Sequence, residues 1–136
     1  MVLQSSLLFL LLAISAVIGT GYRALPPKDV YTAVLINESA SPVTLLLEYQ
    51  YQNCNNGLEM STKIVSIPPN SYIKTPQETV DAGGYTTVKV LKSIKRVEIL
   101  DDLSAPFSGV DSPQKNWQFI IDEDHIESVG HAYNVE

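Results

Sequence analysis

Cysteine is almost absent: Cys54 is the only one in 136 residues, so no disulfide within the chain can staple the fold. Histidine is nearly as scarce, with His125 and His131 alone. No two Cys or His residues stand at a C-x-x-C or H-x-x-x-H spacing, which argues against a structural zinc site. There is no Gly-x-Ser-x-Gly elbow, and a Cys54–His dyad would put its nucleophile at a hairpin tip, a poor place to preorganise a reacting pair. The chain is therefore expected not to be an enzyme. Positive charge is short as well. Nine Lys and Arg against fifteen Asp and Glu give a formal charge of −6, the wrong sign for a surface that displaces counterions from nucleic-acid phosphate.

Charge of either sign is missing before Arg23. In that stretch residues 7–18 form one apolar block, followed by the small residues Gly19, Thr20 and Gly21. Length and texture are those of a signal-peptide h-region, with cleavage expected after Ala16, Gly19 or Gly21. The alternative is an uncleaved anchor, but the strongly apolar part is shorter than the ~20 residues that span a bilayer. No second apolar run of that length follows. Residues 1–21 are thus read as a signal peptide, residues 22–29 as an extended lead-in containing Pro26-Pro27, and residues 30–136 as one domain, secreted and without a membrane span after cleavage.

What is abundant is β signal. Residues 30–36 are rich in β-branched and apolar residues on both faces, as a central strand would be. Asn37 to Pro42 supply turn chemistry, and Val43, Leu45, Leu47, Tyr49 and Tyr51 then alternate with polar residues and leucine at period two. Asn53-Cys54-Asn55-Asn56-Gly57 is a hairpin signal, with residues 58–67 as the return strand and a phase shift at Ile64-Val65 that suggests a bulge. Residues 71–79, broken by Pro76, belong at an edge. Asp81-Ala82-Gly83-Gly84 turns into residues 85–90. In residues 91–100, Leu91, Ile94, Val97 and Leu100 recur every third residue, so helix competes there, and strand is preferred. Residues 101–116 read as a long loop with Pro106, Gly109 and Pro113. Trp117, Phe119 and Ile121 alternate into a last clear strand, and residues 125–129 add a short one.

Seven or eight short strands with regular turns and no helix beyond the apolar leader predict an all-β class, a single antiparallel β-sandwich. In outline this is similar to immunoglobulin-like modules, although the Cys, Trp, Cys hallmark of antibody-type domains is missing.

Asn37-Glu38-Ser39 is the one glycosylation sequon, which marks Asn37 as the candidate acceptor. Cys54, odd and in a predicted turn, is the candidate for a disulfide to a second chain and so for a linked dimer. Asp101, Asp102, Asp122 and Asp124 fall in predicted loops that would form a chelating cup for calcium if those loops meet at one end of the sandwich. Acidic residues that merely decorate turns are the simpler explanation. Lys89, Lys92, Lys95 and Arg96 concentrate four basic residues within eight positions and read as a solvated strand face before an anion-binding patch. No cofactor is required by any motif. The function expected is a secreted, non-catalytic interaction or matrix module for extracellular protein or glycan. An acidic calcium-binding or mineral-associated protein is the alternative.

Overall fold

The computed structural model describes residues 26–53, 55 and 57–132, and these contain no helix. The signal-peptide reading, Cys54 and residues 22–25 of the lead-in lie outside them. Ten strands are present: β1 (Ala33–Asn37), β2 (Val43–Gln52), β3 (Leu58–Ile67), β4 (Ser71–Lys74), β5 (Thr79–Asp81), β6 (Thr86–Val88), β7 (Val90–Arg96), β8 (Asp101–Ser104), β9 (Trp117–Ile121) and β10 (Ile126–His131). They form one four-stranded sheet ordered β10-β9-β1-β4, a second ordered β3-β2-β7-β8, and the small hairpin β5-β6.

The two sheets bury one core. Leu35, Phe119 and Ile121 come from the first sheet, and Leu45, Leu47, Tyr49 and Ile94 from the second. Phe107, on the long connection before β9, closes the core edge-on against Phe119, with ring centroids 4.9 Å apart at 74°. Gly109 follows it at φ 89°, where a side chain would be strained and would meet the Trp117 ring at 3.4 Å.

The period-two stretch forms β2 in full, burying Val43, Leu45, Leu47 and Tyr49. Its hairpin partner β3 pairs from Val43↔Ile67 to Gln52↔Leu58 without a break in register. The phase shift in the sequence is therefore not a bulge in β3: Ile64 simply faces outward, 68% exposed. β1 is central, and β4, ended before Pro76, is an edge, as expected.

Two expectations need correction. The sandwich is not wholly antiparallel, because β1 and β9 run parallel from Ala33↔Trp117 to Asn37↔Ile121. A parallel pair needs a long crossover, and here that connection runs through the whole second sheet, β4 and the β5-β6 hairpin. The stretch expected to start a loop at Asp101 is instead strand β8, paired with β7 through Arg96↔Asp101 and Lys95↔Asp102, and the turn lies earlier, at residues 97–100.

Candidate functional site

Chain direction brings four connections to one end of the sandwich: residues 38–42, 68–70, 97–100 and 122–125. Two buried polar residues hold this end together. Asn37 closes β1 with 0% exposure, and its Nδ2 donates to the carbonyls of Ser41, Ile67 and Pro68 at 2.9, 3.0 and 3.1 Å. Its Oδ1 accepts from the Ser39 N–H at 2.9 Å and the Ser39 hydroxyl at 2.7 Å, an Asx turn tied to the ends of two strands. Asn37 is also the expected glycan acceptor, and in this structure its side chain is engaged within the fold. The nitrogen that would carry the sugar is enclosed and faces three carbonyl oxygens, so a glycan there would break the knot.

Arg96, 9% exposed at the end of β7, reaches the other sheet and donates from Nη1 to the carbonyl of Asp122 at 2.7 Å and, more distantly, to that of Glu123 at 3.4 Å. It is thus Arg96 of β7, and not a loop beginning at Asp101, that reaches the 122–125 connection expected to share a calcium cup. The four carboxylates do not converge. Asp101 lies opposite Arg96 and Asp102 opposite Lys95, so as strand neighbours they point to opposite faces of the sheet. Asp122 turns inward on its own loop: Oδ1 accepts the N–H groups of Asp124 and His125, both at 2.8 Å, and Oδ2 stands 3.1 Å from His125 Nδ1. Among the described residues, no three His, Cys, Asp or Glu side chains are grouped so as to hold a metal ion.

The backbone N–H bonds to Asp122, first that of Asp124 and then that of His125, favour its charged form and hold its carboxyl below the ordinary 3.8, with the charge on His125 adding to this. A depressed carboxyl contributes order that is present above the unfolded pKa and lost as pH falls through the folded one. The Asp124 and His125 amide resonances should therefore shift together in an acid titration, with a shared midpoint below 3.8. A midpoint at or above that value would show that the bonds do not hold in solution.

The basic cluster does not form a patch. Lys89 lies 5.5 Å from the centre of the Tyr51 ring, Lys92 lies 4.0 Å from Asp29, Lys95 pairs with Glu48, and Arg96 is buried. His125 and His131 are at opposite ends of β10 and build no common site. Tyr49, Trp117 and Phe119 are core residues.

Sequence reasoning did not single out the turn at residues 97–100 as a surface feature. Leu100 is fully exposed, Val97 is 61% and Ile99 39% exposed. Glu98, between them, fixes the turn by accepting the Thr44 N–H at 2.7 Å, and the Val97 N–H donates to the Thr44 carbonyl at 3.0 Å. Beside the turn lies a hollow of about 270 Å³ lined by Lys95, Arg96, Ile99, Leu100, Asp101 and Asp102. Glu38, Glu98, Asp101, Asp102, Asp122, Glu123 and Asp124 make the surroundings acidic. The opposite end holds a larger, shallow hollow of about 450 Å³ whose lining, with Tyr31, Gln77, Thr86 and Thr87, carries one charged group, Lys115.

The chain matches no known family model, and no curated protein matches it either.

Proposed function

We propose that the protein is a secreted, non-catalytic interaction module that binds an extracellular partner through the turn at residues 97–100. The observation that carries this reading is the pairing of exposure with rigidity. Three apolar side chains stand in solvent on a turn whose backbone is fixed by Glu98 and Val97 to β2 and whose base is fixed by Arg96 to the neighbouring turn. Apolar anchors held in place within a polar rim bind with little ordering cost. A partner suited to this end offers an apolar side chain to Ile99 and Leu100 and a Lys or Arg to the surrounding carboxylates. Binding through loops at the end of a sandwich is also how immunoglobulin-like modules work, an analogy of architecture alone. The leader at residues 1–21 supports an extracellular setting.

The test compares the secreted protein with an Ile99→Ser, Leu100→Ser variant for saturable binding to extracellular matrix and cell surfaces. Both side chains are accessible, so the variant should keep its thermal midpoint while affinity falls about tenfold or more. Unchanged affinity would remove this turn from the interface. Turnover abolished by His125→Ala would overturn the non-catalytic reading, and an intact N-terminus found only in membranes would overturn secretion.

A further inference from the structure

We infer that two copies of this chain pair antiparallel along β3, centred on Ser61, joining their β3-β2-β7-β8 sheets into one continuous sheet. β3 is the edge of its sheet and ten residues long. Long edges are usually blunted, because their unpaired N–H and C=O groups invite another strand. This edge is instead apolar on its outer face, where Leu58, Met60 and Ile64 are 68%, 50% and 68% exposed.

Hydrogen-bond phase and charge together select the register. The Asn53 N–H donates to the Gly57 carbonyl, so by antiparallel alternation Glu59, Ser61, Lys63 and Val65 bond to β2, while Leu58, Met60, Thr62, Ile64 and Ser66 direct their backbone groups to the free edge. A second β3 must set these free residues opposite one another. Centring on Thr62 would face Glu59 with Val65 and Lys63 with Ser61. Centring on Lys63 would face lysine with lysine. Centring on Ser61 places Glu59 of each copy opposite Lys63 of the other, twice by symmetry, and on the outer face sets Leu58 against Ile64 and Met60 against Thr62. Glu59–Lys63 is a non-hydrogen-bonded pair, the kind whose side chains approach closest.

Lys63 has no ion pair within the chain among the described residues. An inward-facing lysine on an edge strand ordinarily repels a second strand. Here a carboxylate at the matching position turns it into a register key. Glu59 is already positioned, since Asn53 Nδ2 donates to it at 3.0 Å. This dimer is distinct from a disulfide-linked one, because the two hairpin tips between Asn53 and Gly57 fall at opposite ends of the joined strands.

Sedimentation equilibrium of the secreted protein under reducing conditions tests the pairing. The mass should rise with concentration towards twice that of the monomer. Glu59→Lys alone and Lys63→Glu alone should each weaken association about tenfold or more, whereas an equimolar mixture of the two variants should dimerise again, because each mixed pair regains both charge contacts. Thr62→Pro removes an N–H that points away from β2 and should leave a folded monomer. Monomer mass at every concentration, association indifferent to the single charge reversals, failure of the folded variants to dimerise on mixing, or a dimer that vanishes with reductant would each overturn the proposal.

Discussion

Replacing Asn37 with alanine is expected to cost about 3 kcal/mol or more, because each buried group left without its partner forfeits ~1–3 kcal/mol and the side chain serves several at once. Its Nδ2 satisfies three carbonyls and its Oδ1 two donors of Ser39, all at an end of the sandwich where β1, β3 and the 38–42 connection converge. Asn37→Asp should be at least as damaging, since an oxygen would then face the oxygens of Ser41, Ile67 and Pro68. In a domain of this size the thermal midpoint should fall by roughly 10–20 °C in either variant. Ser39→Ala, which removes the hydroxyl shared with Asn37 and Ser41, should cost about 1 kcal/mol. Calorimetry reads all three, and a loss below ~1 kcal/mol for Asn37→Ala would mean that water replaces the side chain and that the knot is not sealed. The same geometry predicts that the protein, when expressed through a secretory pathway, keeps its mass on treatment with an N-glycosidase.

That residue shows where sequence reading reaches its limit. Asn37-Glu38-Ser39 satisfies two descriptions at once, a glycosylation sequon and an Asx turn, and the choice depends on burial, which comes from strands distant in the chain. The segment 91–100 is a second instance. Leu91 and Ile94 are three apart and both point into the core, a helical spacing in the sequence. The register slips between Glu48↔Ser93 and Tyr49↔Leu91, so Lys92 is an extra residue in β7 and brings two positions three apart to the same face. Val97 and Leu100, the other members of the repeat, are in the exposed turn. By contrast β2 was legible because one of its faces is buried and the other is not, which writes period two directly into the chain. The candidate binding turn had no such signature, since three exposed apolar residues look like core until the fold places them outside. Nor does sequence reveal a parallel partner: paired positions of β1 and β9, such as Ala33 and Trp117, are 84 residues apart, and only the closed core sets them side by side.

The face assignment in β9 can be tested by a contrast between neighbours. Phe119 is fully buried, opposite Leu35 across the parallel pair and edge-on to Phe107, so Phe119→Ala should cost about 3–5 kcal/mol through lost burial and the cavity it leaves. Ile120, one residue on, points to the other face and is only partly covered, and Ile120→Ala should cost roughly 1 kcal/mol. A one-residue slip of β9 against β1 would exchange the two faces and reverse this order. Denaturant unfolding with both variants therefore reads register as well as stability. Coupling between Leu35→Ala and Phe119→Ala, measured as a double-mutant cycle, should reach at least ~0.5 kcal/mol for side chains in contact. Additivity of the two would mean that the strands do not sit side by side, and the closure of the first sheet would have to be redrawn.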